Sequence, residues 1–461
     1  AFLEDRMGKL RCFKAYDIRG RIPDELNDEL AYQIGRSYAA FVRPKRIAVG
    51  CDIRQSSVPL RNALIRGLTE SGVDVADIGL CGTEGVYFAT FNEELDGGIM
   101  VTASHNPPDY NGMKFVREQS RPISSDTGLL EMQNLIETGR LPARAPHTGQ
   151  VAALDTADKY LRHLLGYITA DRLRRLKVVV NAGNGGAGLI IDLLEPHLPF
   201  EFIKINHQPD GSFPHGVPNP MLEENRLSTI EAIRRHKADV GLAWDGDYDR
   251  CFFFDEHGGF IEGYYLVGLL AEAFLRQHRG ARIVHDPRLT WNTIDIVQQY
   301  GGEPVLCRSG HAFIKQRMRE VDAVYGGEMS AHHYFREFAY CDSGMIPWLL
   351  VLAVMSESGK SLSELVVERQ RLYPASGEIN RHLGEQMGDA GAVLTRVRQH
   401  YQARARSMDF TDGLSMEFEH WRFNLRGSNT EPLVRLNVES RGDAALMQDR
   451  TGELLRLLDG E

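Results

Sequence analysis

The chain has 461 residues, of which 43% are hydrophobic and 25% are charged, and its formal net charge is −10. These fractions are typical of a soluble globular protein, and the length predicts roughly three or four domains. The acidic balance argues against a nucleic-acid or membrane partner, so an anionic ligand needs a local cluster of basic residues.

The six cysteines are spread widely and form no CxxC pair. This pattern predicts reduced thiols in a cytoplasmic protein and argues against a disulfide framework or a zinc site. Residues 1–9 lack the apolar core of a signal peptide. The longest apolar run, Met345–Met355, is too short to span a bilayer and predicts a buried helix.

The first three parts of the chain repeat one order of elements, in which apolar strands alternate with amphipathic helices such as Leu60–Glu70 and Gly85–Phe91. The predicted strands are Arg46–Val49, Val73–Ile78, Gly98–Val101, Leu176–Val180, Phe200–Ile205, Val240–Ala243, Ala281–Val284, Pro304–Cys307 and Ala323–Tyr325. Such alternation is typical of parallel sheets with helices on both faces. We therefore predict an α/β fold with three similar domains, each built on a mixed, mainly parallel sheet.

The last part of the chain has a different pattern. Leu414–Phe418 and Leu433–Val438 are predicted strands, and Ala444–Leu458 is a predicted helix, which together indicate a smaller α+β domain. Linkers are predicted at residues 142–150 and near 255–259. The predicted domains are 1–150, 151–256, 257–367 and 368–461.

A polar loop, Thr102–Pro107, follows the predicted strand that ends at Val101. Open α/β sheets place their chemistry in such loops. A serine is reactive only beside a base or when it already carries a group to transfer, so Ser104 is a candidate to carry or accept a phosphoryl group. A polar turn with a satisfied hydroxyl is an equally good interpretation of this loop alone.

A second loop, Asp245–Arg250, has three carboxylates at alternate positions: Asp245, Asp247 and Asp249. Hard divalent cations prefer oxygen ligands, so the loop predicts a Mg²⁺ or Ca²⁺ site, with a solvated acidic turn as the alternative. An EF-hand is excluded because Arg250 stands where that loop needs glycine.

Two further polar loops carry candidate binding residues. In Gly326–His333, Glu328 and Ser330 are two apart and can grip sugar hydroxyls from one side. In Arg426–Thr430, guanidinium, hydroxyl and amide groups beside Gly427 suit a phosphate dianion. A capped turn and an ordinary hairpin turn are the respective alternatives.

Some features near these loops are weak evidence by themselves. Five basic residues stand beside the motifs, and each taken singly is typical of a solvated surface charge: Arg19, Lys114, Arg250, Arg288 and Arg435. Two more strand-end loops, Cys51–Arg54 and Asn181–Gly188, carry polar or glycine residues. The second of them lacks the full dinucleotide-binding pattern, so ordinary strand–helix packing explains it better.

The motifs TASHNP, DGDYDR, GEMSAHH and RGSNTEP, in this order and spacing, resemble those of the α-D-phosphohexomutase family, and most closely those of its bacterial phosphomannomutase members. The resemblance extends from Phe13–Gly20 to the C-terminal helix. It implies four domains around a central cleft. It also implies reversible conversion of mannose 6-phosphate and mannose 1-phosphate through a hexose 1,6-bisphosphate, which also serves as activator, with Mg²⁺ as cofactor and glucose phosphates as further substrates.

The resemblance also implies a role for each matching residue. Ser104 is then the phosphoserine, and one of its phosphate oxygens joins Asp245, Asp247 and Asp249 on the metal. Catalytic positions around the reacting phosphate are Arg19, Lys114 and Arg250, with His311 and His332 as candidates for proton transfer. Substrate-binding positions are Arg288, Glu328, Ser330, Arg426, Ser428, Asn429, Thr430 and Arg435.

Some points stay open at this stage. Ala331–His333 and Arg308–His311 depart mildly from the commoner family forms, which leaves the identity of the proton-transferring group undecided. A phosphoglucosamine mutase, a phosphoserine-dependent sugar phosphatase and a non-catalytic sugar-phosphate binding protein are the alternatives. We expect small-molecule sugar phosphates as partners, a role in supplying sugar nucleotides for polysaccharide, and a cytoplasmic monomer or weak homodimer.

Overall fold

A computed structural model describes residues 10–383, 389–427 and 433–459. The chain divides into two compact units. The first unit contains Ala1–Phe260 and His332–Gly359, and the second contains Ile261–Ala331 and Lys360–Glu461. The finer division into four domains with the boundaries given above stays a prediction.

The part of the first unit up to Phe260 contains two sheets and their covering helices. Its strands are β1 (Ile18–Arg21), β2 (Arg46–Cys51), β3 (Asp74–Leu80), β4 (Gly97–Val101), β5 (Tyr110–Arg117), β6 (Val151–Ala153), β7 (Lys177–Asn181), β8 (Glu201–Ile205), β9 (Val240–Trp244), β10 (Cys251–Phe254) and β11 (Phe260–Ile261). Its helices are α1 (Asp28–Val42), α2 (Ser57–Glu70), α3 (Thr83–Asn92), α4 (Leu129–Glu137), α5 (Ala157–Leu165), α6 (Ala187–Leu194) and α7 (Leu227–His236).

Both sheets are mixed and mainly parallel, as predicted. The first has the order β1-β5-β4-β2-β3-β6, in which β2 runs parallel to β3 and β4, and β5 runs antiparallel to β4 and β1. The second has the order β11-β10-β9-β7-β8, with β7 parallel to β8 and β9. Every residue of β4 and of β9 is buried, which explains their continuous apolar sequences.

Residues 261–359 continue the alternation of strands and helices. The second unit contains α8 (Gly263–Gln277), β12 (Arg282–His285), α9 (Trp291–Gln299), β13 (Glu303–Leu306), α10 (His311–Val321) and β14 (Tyr325–Gly327), and the first unit contains β15 (His333–Phe335), β16 (Cys341–Asp342) and α11 (Ile346–Ser358). Strands β13 and β14 lie parallel to β12 on either side of it. Strands β15 and β16 pair antiparallel.

One predicted strand is displaced in the structure. The apolar segment Ala323–Tyr325 shares only Tyr325 with β14, which continues through Gly326 and Gly327. A Cβ atom on Gly326 would lie 2.7 Å from Met318 Sδ, and one on Gly327 would lie 2.6 Å from a methyl carbon of Val267. Helices α10 and α8 pack so closely on β14 that only glycine fits there, although glycine is a poor strand former by itself.

The C-terminal part of the second unit is an antiparallel sheet with helices. Its elements are α12 (Leu362–Leu372), β17 (Ile379–His382), α13 (Ala390–Tyr401), β18 (Ser407–Asp409), β19 (Leu414–Glu417), β20 (Trp421–Gly427), β21 (Leu433–Ser440) and α14 (Ala444–Asp459). The strand order is β17-β21-β20-β19-β18, and each neighbouring pair is antiparallel. Buried side chains of α13, α14 and the sheet form one core, as expected for an α+β domain.

Two further expectations can be compared with the structure. The apolar run at Met345–Met355 forms the buried helix α11, in which Pro347 lies in the first turn, where it is tolerated. All six cysteines are free, and five of them are buried. Within the described ranges, no helix combines the length and apolarity that crossing a bilayer requires.

A buried carboxylate connects the C-terminal sheet to helices α8 and α9. Glu439 on β21 is 0% exposed. Its Oε1 atom accepts hydrogen bonds from the backbone N–H of Thr290 (2.7 Å), the backbone N–H of Trp291 (3.3 Å) and Nη1 of Arg422 (2.8 Å). The Tyr264 hydroxyl donates to Oε2. The carboxylate thus satisfies donors from three elements and lies at the N-terminus of α9, where negative charge is favourable.

We expect Glu439→Gln to lower the free energy of unfolding by about 3 kcal/mol, because it removes the charge that compensates buried Arg422 and replaces one acceptor by an NH₂ donor. Urea denaturation measures this change. The matched control is Glu419→Gln, which breaks an exposed ion pair with Arg406 and should cost less than about 0.5 kcal/mol. Equal stability of the two variants would contradict the assigned role.

Candidate functional site

Ser104 lies in the loop between β4 and β5, at the end of a fully buried strand. Its backbone has a φ of +48°, in the left-handed region that costs an L-residue roughly 1–2 kcal/mol. Its Oγ atom is 2.9 Å from Oδ2 of Asp245 and 3.0 Å from Nδ1 of His105. The hydroxyl is therefore held beside the first carboxylate of the second loop.

The three aspartates lie in the turn between β9 and β10, and all are buried. Each offers a carboxylate oxygen within 4.8 Å of the oxygens that the other two offer. In the ranges the structure describes, Oδ1 of Asp247 and Oδ1 of Asp249 have no hydrogen-bond partner. Buried oxygens without donors are costly, and a hard divalent cation satisfies them, so Asp245, Asp247 and Asp249 fit a Mg²⁺ site.

Basic side chains compensate these carboxylates. Nζ of Lys114, on β5, is 2.8 Å from Oδ2 of Asp247 and 2.5 Å from Oδ2 of Asp249. Burial lowers the pKa of Lys114, but the two carboxylates outweigh that effect and raise it above its ordinary value. Nε of Arg250 donates to Oδ2 of Asp245 at 2.9 Å. These cations come from neighbouring elements of the same unit and stay charged at neutral pH.

The pKa values of Asp245 and Asp249 are shifted in opposite directions. Burial raises the pKa of Asp245 to about 7, although Arg250 opposes the shift. Burial acts on Asp249 in the same direction, but Lys114, His332 and Arg250 outweigh it and hold its pKa well below the usual range. A bound divalent cation favours the ionised form of both carboxylates, which is the form that a metal ligand needs.

The second unit contains a separate polar cluster around Arg288, which is 3% exposed. Its Nη2 atom is 2.5 Å from Oδ2 of Asp286 and 3.3 Å from both Oε1 of Glu328 and Oγ of Ser330. The backbone N–H of Gly310 donates to Oε1 of Glu328 at 2.9 Å. Glu328 and Ser330 thus contact the same arginine.

Three arginines of the second unit meet at one carboxylate, Glu378. Its Oε2 atom is 3.1 Å from Nη2 of Arg426 and 3.5 Å from Nη1 of Arg288, and its Oε1 atom is 3.5 Å from Nη1 of Arg435. Burial raises the pKa of Glu378, but the three guanidinium groups outweigh it and lower the pKa below its ordinary value. The carboxylate holds three cations close together, which a phosphate dianion would also do.

Comparison with known proteins agrees with this architecture. Four domain profiles of the phosphoglucomutase/phosphomannomutase family match the chain, namely α/β/α domains I, II and III and the C-terminal domain, over residues 10–140, 158–259, 262–373 and 378–455. The chain belongs to the phosphoglucomutase/phosphomannomutase family. The resemblance inferred from its motifs and the predicted fold class are therefore confirmed.

Individual relatives of this family are similar over the full length. A protein of Xanthomonas campestris pv. campestris (strain B100) named "Phosphohexose mutases" is 59% identical over 98% of this chain and 100% of its own. A phosphomannomutase of Escherichia coli (strain K12) is 56% identical with the same coverage. The crystal structure of a phosphoglucomutase/phosphomannomutase family protein from Burkholderia thailandensis is 32% identical, covers 98% of both chains and has a TM-score of 0.87.

The family's predicted site residues fall into two groups within the structure. The first unit brings together Ser104, the three aspartates, Lys114 and Arg250, with Arg19 Nη1 donating to the carbonyl of Thr102 at 3.1 Å. His332 Nε2 is 4.0 Å from Oδ1 of Asp249. The second unit brings together Arg288, Glu328, Ser330, Arg426 and Arg435. His311 begins α10 beside Gly310, whereas Ser428, Asn429 and Thr430 lie outside the described residues.

One interpretation from single residues is wrong. Taken singly, the basic residues beside the motifs were expected to be solvated surface charges, yet Lys114, Arg250 and Arg288 are 7%, 5% and 3% exposed. The sequence alone does not show which carboxylates form ion pairs with a given basic side chain. Buried ionised groups are tolerated only when such partners are present, and here each cation has at least two.

Several residues of the site carried little signal in the sequence. Thr83, at the start of α3, donates its hydroxyl to Oδ2 of Asp247. Nη2 of Arg250 lies 2.7 Å from Nδ1 of His105. Because a guanidinium only donates, Nδ1 of His105 is unprotonated. Thr83 and His105 both lie shortly after the end of a strand. Glu378 belongs to none of the sequence motifs, and only the fold shows that three arginines surround it.

We expect Asp247→Asn to weaken Mg²⁺ binding by at least about tenfold, because it removes one anionic oxygen ligand from the triad. Isothermal titration of the protein with Mg²⁺, after treatment with a chelator, measures the affinity. Asp192→Asn is the matched control, since this exposed carboxylate of the same unit pairs with Lys204. Unchanged Mg²⁺ affinity of Asp247→Asn would exclude the triad as the metal site.

We expect Glu378→Gln to cost roughly 1–3 kcal/mol of unfolding free energy at pH 7, because Arg288, Arg426 and Arg435 lose a shared counter-charge and the Arg288 guanidinium is buried. The folded-state pKa of Glu378 lies below the ordinary value of 4.5, so its stabilisation is complete above that pH and is lost as the pH falls through the lowered pKa. The stability gap between wild type and variant should therefore close in acid.

Denaturation curves at several pH values between neutrality and acid test this expectation. The matched control is Glu303→Gln, whose carboxylate forms an exposed pair with Arg282 and should show a small gap at every pH. A gap for Glu378→Gln that is independent of pH would show that its charge is not what stabilises the arginine cluster.

Proposed function

We propose that this protein is a phosphomannomutase that interconverts mannose 6-phosphate and mannose 1-phosphate, with Ser104 as the phosphoserine that gives and recovers the phosphoryl group. The observation that carries the proposal is the position of Ser104 Oγ, 2.9 Å from Oδ2 of Asp245 in a buried carboxylate triad. A serine beside a magnesium site and three basic side chains is suited to phosphoryl transfer, which depends on positioning and charge stabilisation.

The residues around Ser104 have distinct tasks in this mechanism. Arg19, Lys114 and Arg250 supply the positive charge that a transferring phosphoryl group requires. Asp245, Asp247 and Asp249 would hold Mg²⁺, which would supply Lewis-acid stabilisation of the charge that develops during phosphoryl transfer. A general base takes the proton of the attacking sugar hydroxyl, and its conjugate acid protonates the leaving serine. His332, which lies 4.0 Å from Asp249, and His311 are the candidates for this role.

The second cluster is proposed to bind the sugar phosphate. Glu328 would accept hydrogen bonds from ring hydroxyls, and Ser330 would donate one to them. Arg288 contacts both side chains and orients them. Arg426 and Arg435, together with Ser428, Asn429 and Thr430, hold the phosphate that does not react. The hexose 1,6-bisphosphate intermediate must bind in two orientations, so this cluster must accept phosphate from either end of the sugar.

The names of the relatives support mannose phosphates as substrates, and glucose phosphates are proposed as additional ones. The product would feed the synthesis of sugar nucleotides for polysaccharide. We further propose a cytoplasmic location and a monomer or weak homodimer, and we retain the four predicted domain boundaries as part of the proposal.

The deciding experiment is an assay with mannose 6-phosphate, Mg²⁺ and a trace of hexose 1,6-bisphosphate, in which mannose 1-phosphate and free phosphate are measured together. We expect isomer formation with little phosphate release. Ser104→Ala should lower the rate by at least about 10³-fold, because it removes the group that carries the phosphoryl. Intact-protein mass spectrometry should detect one phosphoryl group on the wild type and none on the variant.

Ser125→Ala is the matched control, since this half-buried serine lies in the segment between β5 and α4, contacts Asp126 and should keep full activity. Steady phosphate release without isomer would assign the protein to the sugar phosphatases instead. Full activity of Ser104→Ala would exclude Ser104 as the phosphoryl carrier. Repeating the assay with glucose and glucosamine phosphates defines the range of substrates.

A further inference from the structure

Arg54 lies in the loop after β2, one of the strand-end segments for which the proposed mechanism gives no role. Its side chain is 2% exposed. Its guanidinium donates four hydrogen bonds to backbone carbonyl oxygens, three in the loop that contains Ser104 and one at the first residue of β5. Nη2 donates to Ser104 (3.0 Å) and Asn106 (2.6 Å), and Nη1 donates to Pro107 (2.7 Å) and Tyr110 (3.0 Å).

This set of contacts is well matched to the guanidinium group. Arginine has five N–H donors in a rigid plane, whereas a lysine ammonium is a single point with three donors. Four carbonyls that converge on one plane are therefore fixed relative to one another. The ring of Phe213 lies 5.4 Å from the guanidinium carbon, which adds a further contact to the side chain.

The loop needs such support because Ser104 adopts a left-handed backbone, with a φ of +48°. A non-glycine residue keeps this conformation only where its surroundings over-determine it, and such positions cluster at functional sites. Without Arg54, the carbonyl of Ser104 would lose the donor that fixes the peptide plane after the serine. The Oγ atom would then be free to leave the position beside Asp245.

A second set of contacts holds the other side of the same residue. The backbone N–H of Ser104 donates to Oγ1 of Thr102 at 2.9 Å, and the Thr102 hydroxyl donates to Oδ2 of Asp52 at 2.7 Å. The same Asp52 Oδ2 atom lies 3.5 Å from Nε of Arg54. Both polar backbone groups of Ser104 are thus bonded to side chains that meet at one buried carboxylate.

We propose that Arg54 is a positioning residue that keeps Ser104 in its left-handed conformation, with Oγ beside Asp245. It acts through the backbone of the loop, which separates its role from those of Arg19, Lys114 and Arg250. This inference rests on the proposed function, because it assigns Arg54 to the phosphoryl transfer of Ser104. Loss of Arg54 should slow transfer and leave sugar-phosphate binding, which belongs to the second cluster, nearly intact.

The test compares Arg54→Ala and Arg54→Lys with the wild type, using full-length protein and mannose 6-phosphate. We expect kcat to fall about 100-fold in Arg54→Ala, the effect of misplacing a reacting group by about 1 Å, while KM changes less than about threefold. Arg54→Lys should not restore kcat, because the ammonium cannot serve four carbonyls. Millimolar guanidinium added to Arg54→Ala should restore part of the activity, whereas methylammonium should not.

Arg61→Lys is the matched control, because this arginine on α2 contacts Asp77 and Cys51 of the same sheet but not the loop. Its kcat and KM should stay close to those of the wild type. Circular dichroism and thermal unfolding establish that each variant is folded at the assay temperature. Should Arg54→Ala fail to fold, Thr102→Val removes the second support of Ser104 and should lower kcat about tenfold at constant KM.

Different outcomes separate this inference from the function on which it rests. Isomerase activity in the wild type, together with an unchanged kcat in folded Arg54→Ala, would overturn the role of Arg54 and leave the function intact. A fall in kcat accompanied by an equal rise in KM would also overturn it, because positioning of the serine predicts a kcat effect. A wild type without phosphoserine and without isomerase activity would overturn both.

Discussion

The burial of three carboxylates in one short turn is the constraint on which the first unit depends. Taking ionised groups out of water is costly unless cations or hydrogen-bond donors reach them. The turn between β9 and β10 therefore requires Lys114 from β5 and Thr83 from α3, which must lie beside it. Gly82 allows the start of α3 to approach this turn closely, since a Cβ atom on Gly82 would lie 2.4 Å from the carbonyl oxygen of Asp247.

Much of this arrangement could be predicted from the sequence, because strands β4, β9 and β14 each run into a polar loop. Hydrophobic runs predict the strands, and the polar loops that follow them predict the functional residues, so Ser104 and the three aspartates could be identified from the sequence. The bounds of β14 could not be predicted from the sequence, because the apolar residue Val324 lies before the strand and Gly326 lies within it. Glycine at position 326 is explained only by the close packing of α10 on the strand.

Contacts between distant parts of the chain could not be predicted. Glu378 meets Arg288, which is distant in sequence, and Arg54 meets the carbonyl of Ser104 through a loop whose path depends on the whole sheet. In both cases the residue type gives little information, since glutamate and arginine are common on surfaces. What distinguishes them is burial together with several partners, which is a property of the fold alone.

The charges around Ser104 bear on the proposed phosphorylation of this serine. Arg19 pairs with Asp17, and Lys114 and Arg250 pair with the carboxylates of the triad. A phosphoryl group on Ser104 would add a charge of about −1.5 to −2 at neutral pH. Buried negative charge of this size is unfavourable unless a cation compensates it. Burial raises the pKa of Asp245 to about 7, and a divalent cation beside this carboxylate would favour its ionised form. Asp245, Asp247 and Asp249 would hold a divalent ion that supplies two positive charges, and Oδ1 of Asp247 and Oδ1 of Asp249 have no hydrogen-bond donor in the described ranges. We therefore expect phosphorylation of Ser104 and binding of Mg²⁺ to favour each other.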